Sequence, residues 1–182
     1  ELIRKFKQFR QSNHIHDKKE IFLCYFYPEI ELFIEPTLKE TLFKKLTQFS
    51  EYSEFINNRK IGENDSIICS LIRDDKIDEF VPYITKKNFS FSSIITPSIF
   101  ESNRFLIKRL NVTSLIEYAA FYGSIQIFNY LRFNGANMNP SLWLYAIHGK
   151  NAEIIHLLEE NELAPPGNNY KFRLMEAIKC HH

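Results

Sequence analysis

Between residues 112 and 160 the apolar positions recur at helical rather than strand spacing. Ile127, Phe128 and Leu131, and then Ile154, Ile155 and Leu158, sit at i, i+1 and i+4, the spacing of one buried helical face. Turn and cap residues break these stripes into short lengths. Ser114 with Glu117 three residues later forms a capping box at the head of a first helix. Gly123 falls where that helix must end, Ser124 and Asn151 stand where second helices begin, and Gly135 supplies a left-handed cap beyond the last apolar position. The small residues Ala119, Ala120 and Ala146 allow neighbouring helices to approach closely. The pattern predicts two helix–turn–helix pairs, over about 114–133 and 141–159.

The two pairs are copies of one another. Ser114-Leu115-Ile116-Glu117-Tyr118-Ala119-Ala120 lies over Ser141-Leu142-Trp143-Leu144-Tyr145-Ala146-Ile147 at an offset of 141 − 114 = 27, and Ile127-Phe128 over Ile154-Ile155 at the same offset. A further copy opens at Leu174-Met175-Glu176-Ala177-Ile178, with Ala177 matching Ala146. No second helix follows it, so the array is expected to run on past His182 or to be covered there by another chain.

Residues 114–139 resemble an ankyrin repeat, whose pattern runs T-P-L-H-x-A-A-x-x-G-H and then I-V-x-x-L-L-x-x-G-A-D-V-N. Ala119, Ala120, Gly123, Ile127, Leu131, Gly135, Ala136 and Asn139 occupy matching positions. Ser114-Leu115-Ile116-Glu117 replaces T-P-L-H. The 27-residue spacing is shorter than the usual repeat of about 33, which implies that the projecting hairpin finger is missing between Asn139 and Ser141. The combination is similar to the divergent ankyrin domains of unknown function found in protist proteins. The resemblance implies an all-α, irregular ankyrin-like helical solenoid preceded by an N-terminal helical region. Residues 1–60 make that region and residues 64–182 the repeats, divided into a degenerate unit over 64–85, an insertion over 86–111, repeats over 112–139 and 140–168, and a partial repeat over 169–182.

The upstream pattern fits this division. In the degenerate unit Ile67, Ile68, Leu71 and Ile72 make a first helix, Asp74-Asp75 a solvated turn, and Ile77, Phe80 and Ile84 a second stripe. Within the insertion Thr96-Pro97 predicts a short helix over 98–105. Nearer the N-terminus, Leu2, Phe6 and Phe9 share a face, and Asp17 with Glu20 caps a helix over 21–27 that Pro28 interrupts. Thr37 and Glu40 read as a capping box ahead of a stripe of Leu38, Leu42, Leu46 and Phe49.

Composition narrows the function classes. An apolar share of 45%, with 17 Phe and 9 Tyr, can fill a core and excludes general disorder. Five Gly and seven Pro are too few for a turn-rich β domain. A net charge of +1 gives no global footprint for nucleic acid or anionic lipid. Three dispersed cysteines, Cys24, Cys69 and Cys180, do not make a disulfide framework, and they point to free thiols in a reducing cytoplasm. The longest apolar run, 21–27, is far short of a membrane span.

Catalytic signals are sparse. Glycine-rich phosphate loops, C-x-x-C and H-E-x-x-H are all missing from the sequence. His14-Ile15-His16 and Cys180-His181-His182 do not supply four converging ligands for zinc, so no metal and no cofactor is expected. Adjacent acids such as Asp74-Asp75 and Glu159-Glu160 diverge on a helix and read as solvated turns or ends. Arg4, Lys5, Lys7 and Arg10 around Phe6 and Phe9 read as the wet face of an amphipathic helix.

The resemblance implies that first helices of successive repeats line a concave, partner-contacting surface. The positions projecting there are Tyr118, Phe121, Tyr122, Tyr145 and His148. Aromatic anchors favour binding, whereas the alternative packs the same rings against the Phe-rich insertion or the neighbouring repeat. Trp143 is assigned to the core between repeats. The expected function is a non-enzymatic protein–protein interaction scaffold with a protein partner and with no nucleic-acid, membrane or small-molecule ligand. A structural subunit of a large assembly, for example a cytoskeletal one, and a regulatory module of a longer enzyme are the alternatives.

Overall fold

The computed structural model describes residues 22–49, 51–109, 112–165 and 170–180. The described residues form an all-α chain of short helices joined by turns, with one isolated antiparallel bridge between Ile94 and Ser114. None of the helices described is long and apolar enough to cross a membrane. The N-terminal stripe of Leu2, Phe6 and Phe9, its basic residues, His14 and His16, and the cap at Asp17 and Glu20 lie outside the described residues.

Two compact units emerge, Glu1–Glu63 with Ile99–Ser102, and Asn64–Ser98 with Asn103–His182. The first contains α1 (Tyr27–Ile30), α2 (Pro36–Phe49) and α3 (Tyr52–Ile61). Its core is Cys24, Tyr27, Leu42, Leu46, Phe55 and Phe100. Leu42 and Leu46 are buried as their stripe requires, but Leu38 is exposed. Helix α2 starts at Pro36, whose fixed φ suits the first turn, so Thr37 lies inside the helix and its carbonyl accepts from the Thr41 hydroxyl at 2.8 Å. Ile99–Ser102 leave the expected insertion for this unit. Phe100 meets the Phe55 ring edge-on at 5.4 Å, and the Ser102 amide and hydroxyl both donate to the Gly62 carbonyl, at 2.9 and 2.7 Å.

The second unit is an array of helix pairs. Helices α4 (Ile67–Arg73) and α5 (Ile77–Lys86), α7 (Leu115–Tyr122) and α8 (Ile125–Phe133), and α9 (Leu142–His148) and α10 (Ala152–Glu160) are the pairs. Short α6 (Arg104–Ile107) lies in the insertion, and α11 (Tyr170–Lys179) comes last. The first helices pack in the order α4, α7, α9, α11, each second helix packs on its own first helix, and α5 also touches α8. The predicted stripes supply the core: Phe80, Ile84, Ile127, Phe128, Leu131, Ile154 and Leu158 are each at most 2% exposed.

The repetition is clearer in the backbone than in the residues. The second helices end at Asn88, Gly135 and Glu162, all left-handed with φ of 53°, 81° and 51°. The amide after each one reaches back to the helix: Phe89 to the Ile84 carbonyl, Ala136 to Leu131 and Leu163 to Leu158, at 3.0, 3.0 and 3.1 Å. First helices turn at Asp75, Gly123 and Lys150, again left-handed. The last two pairs of turns repeat at 27 residues, as the sequence does, although a glycine stands at only two of the six positions.

The insertion corrects one expectation. No helix forms over 98–103, and only the last two residues of the expected span are helical; the Thr96 carbonyl accepts from Asn64 Nδ2 at 2.9 Å and the Ser98 hydroxyl donates to Asp65 at 2.6 Å. Residues 93–95 are pinned to 113–115 by Ile95 N to Thr113 O at 2.8 Å and Leu115 N to Ser93 O at 3.1 Å. Helix α6 instead starts at Arg104, where Asn103 Oδ1 accepts from the amides of Phe105 and Leu106.

Candidate functional site

The capping box fixes where the α7 side chains point. Ser114 Oγ accepts from the Glu117 amide at 3.4 Å, and Glu117 Oε2 accepts from the Ser114 amide at 2.7 Å. Glu117 Oε1 also takes the Ser141 hydroxyl, so this buried carboxylate ties one pair to the next. Tyr118 of α7 and Tyr145 of α9 both turn into the core, 2% and 1% exposed, rather than onto a surface. The Tyr118 phenol accepts from Arg73 Nη1 at 3.0 Å, and burial pushes its pKa up. Tyr145 meets Thr113 Oγ1 at 3.0 Å, and burial again raises its pKa, with the Thr113 bond opposing.

Phe121, Tyr122 and His148 are half-buried. Phe105 from α6 gathers the cluster. It stacks on Phe121 at 5.6 Å, meets Tyr145 edge-on at 5.0 Å and stacks on His148 at 3.8 Å. The Arg109 guanidinium lies over the Phe105 ring, 4.1 Å from its centroid. Tyr122 packs on Tyr118 at 4.7 Å and on Phe121 at 5.1 Å. The insertion therefore covers much of the aromatic face, leaving the edges of Phe121, Tyr122 and His148 toward solvent. Sequence reasoning did not single out Phe105, although Asn103 two residues ahead of the apolar Phe105-Leu106-Ile107 carries a cap signal.

One polar contact recurs between successive first helices. Tyr118, Tyr145 and Glu176 are equivalent positions, and each reaches back to the preceding layer: to Arg73, to Thr113, and to His148 Nε2 at 2.9 Å. Glu176 also accepts from Lys179 Nζ at 2.8 Å. Burial alone would raise the Glu176 pKa, but the bonds from Lys179 and His148 outweigh it and hold the carboxyl below its ordinary value. Cys180 beside it has its thiol pushed up by burial and by Glu176. His181 and His182 lie outside the described residues, and no group of three His, Cys, Asp or Glu suited to a metal occurs among those described.

Asp75 is more than a solvated turn. Its two carboxylate oxygens accept from the amides of Gln126 and Ile127, both at 3.0 Å, so the α4–α5 turn caps the N-terminus of α8. Trp143 is buried as assigned; its indole donates to the Leu163 carbonyl at 2.8 Å, and the Arg173 guanidinium covers its ring at 4.7 Å. Arg173 also pairs with Glu159 at 3.0 Å. Beside it a recess of about 530 Å³ opens between α9, α10 and α11, lined by Trp143, Ile147, Ile155, Leu174 and Ala177 with Lys171 and Arg173.

No family model matches the chain, and neither curated proteins nor solved structures show a significant match.

Proposed function

We propose that residues 64–182 are a short, irregular ankyrin-like solenoid acting as a non-enzymatic scaffold for a protein partner in the cytoplasm. The observation that carries this reading is the layering of first helices α4, α7, α9 and α11, each flanked where a second helix exists by its own partner, with left-handed turns in all three pairs and a 27-residue recurrence in the last two. Such an array offers a long surface and few enclosed cavities, which suits macromolecular recognition better than small-molecule chemistry. Buried, unbridged Cys24 and Cys69 fit a reducing compartment. On this reading the partner meets the solvent edge of Phe121, Tyr122 and His148, where half-buried rings provide area at small entropic cost. No cofactor and no reaction belong to it.

A photo-crosslinking residue at Tyr122, introduced in the native cellular setting, tests the proposal. It should give one discrete adduct with another polypeptide, and the same probe at Thr85, exposed on α5, should not. Equal adducts from both positions, or none from Tyr122, would remove the aromatic edge as the recognition surface.

A further inference from the structure

Helix α6 carries cations that the rest of the chain does not neutralise. Arg104, Lys108 and Arg109 follow one another closely, and none of them is in an ion pair among the described residues. Lys108 stands one turn beyond Arg104, its amide reaching the Arg104 carbonyl at 3.4 Å, so the two share a face beside the exposed Ile107. Arg109 is held differently. Its guanidinium lies over the Phe105 ring, 4.1 Å from the centroid, and among the described residues its side-chain N–H groups donate to no acceptor. Lys150 adds a further cation. It is exposed and in no ion pair among the described residues, and it follows Gly149, whose backbone lies against the Phe121 carbonyl.

The carboxylates that approach this cluster are already satisfied. Glu117 is buried against Ser114 and Ser141, and Glu176 meets His148 and Lys179. Arg73 is set aside, because it donates to the Asn64 carbonyl and the Tyr118 hydroxyl. The edge of Phe121, Tyr122 and His148 is therefore bordered by positive charge left open to an outside anion. The rings favour a polypeptide over a nucleic acid. Base stacking needs an open ring face, but Phe105 has His148 at 3.8 Å and Arg109 at 4.1 Å. Phe121 lies parallel to Phe105, and Tyr122 packs on Tyr118. Ring edges and the Ile107 side chain remain, and these suit an aliphatic or aromatic side chain.

We propose that this surface takes an acidic segment of the partner polypeptide, with carboxylates on Arg109, Arg104 and Lys108 and an apolar residue against the ring edges. Arg109 is the main anchor. A guanidinium already held over a ring can give a carboxylate two parallel N–H bonds with little further loss of freedom. Lys150 extends the positive border at the end of α9. The inference rests on the reading of residues 64–182 as a partner-binding array, and it adds the chemistry of the partner.

Fluorescence anisotropy with the 182-residue chain tests the assignment, using a labelled peptide of glutamates around one phenylalanine. The same peptide with lysines for glutamates, an oligouridylate, and vesicles of phosphatidylcholine with phosphatidylserine are the competing probes. The acidic peptide should bind most tightly, and added salt should weaken it. Arg109→Glu and Lys108→Glu should each weaken it by roughly tenfold or more, with helix content kept by circular dichroism. Arg109→Lys should restore only part of that loss, because an ammonium lacks the planar fork. Lys86→Glu makes the same charge change on the exposed end of α5 and should leave binding unchanged. No binding of the acidic peptide, or binding that survives both reversals, would overturn the proposal. So would equal or tighter binding of the lysine peptide, the oligouridylate or the vesicles. A Tyr122 crosslink obtained beside such a result would keep the recognition surface and remove only its acidic preference. Loss of the Tyr122 adduct with acidic binding intact would count against the earlier reading and not against this one.

Discussion

Helices α7 and α11 begin from similar apolar patterns and end in different environments. Leu115, Ile116, Tyr118, Ala119 and Ala120 of α7 are at most 2% exposed, whereas Leu174, Met175 and Ile178 of α11 are 63%, 49% and 57% exposed. Helix α7 has α4 on one side, α9 on the other and α8 behind it, whereas among the described residues α11 packs mainly on α9 and reaches α10 through the Arg173–Glu159 pair. Burial in this array is set by neighbours rather than by the residue itself. An apolar side chain contributes to stability only where the next layer removes it from water.

Substitutions on the two sides of this divide should separate sharply. Trp143→Ala removes a ring that is only 2% exposed and should cost about 3–5 kcal/mol in a urea titration. Leu174→Ala, at the equivalent position one layer on, should cost less than about 1 kcal/mol, because the side chain is mostly exposed already. Similar losses for the two would show that α11 is covered.

The next largest effect concerns close approach inside the array. A Cβ at Gly149 would lie 2.2 Å from the Phe121 carbonyl oxygen, so Gly149→Ala should cost about 1–3 kcal/mol or more by forcing α7 and α9 apart. At Gly135 nothing lies within 4 Å of an added Cβ, and only the left-handed φ of 81° opposes a side chain. Gly135→Ala should cost about 1 kcal/mol. A reversed order in thermal unfolding would mean that the α7–α9 contact is looser than described.

Asp75→Ala removes the cap that the first pair gives to α8 and should cost about 0.5–2 kcal/mol. The smallest effect is the pH response of the last layer. The Glu176 carboxyl has a folded pKa below its ordinary value, so its contribution is complete above that ordinary value and is lost as pH falls through the lowered one. Acid should loosen α11 before α7, and Glu176→Gln should flatten this part of the pH profile. An unchanged profile would remove the Lys179 and His148 bonds from the account.

The legible features were those that local chemistry dictates. The Ser114–Glu117 box, the stripes of α8 and α10, and the burial of Trp143 followed from spacing, because capping and helical periodicity act within a few residues. Left-handed turns at Asp75, Asn88, Lys150 and Glu162 were not legible, since only Gly123 and Gly135 carry the expected glycine. Packing of the aromatic rings against the Phe-rich insertion or the neighbouring repeat was legible as an alternative, but which rings turn inward, that Phe105 supplies the cover, and the cap from Asp75 to α8 were not. Each of these depends on a partner far along the chain, Arg73 for Tyr118 and Asp75 for Gln126, which periodicity does not encode.

Hydrogen exchange along the helices of the array tests the layered account most directly. If each layer is held only by its neighbours, amide protection should fall from Leu115–Tyr122 through Leu142–His148 to Tyr170–Lys179, the least enclosed of the three helices. Amides of Leu174 to Ile178 exchanging as slowly as those of Ile116 to Ala120 would contradict the account, because α11 would then be an enclosed part of the core and not the open edge of an array.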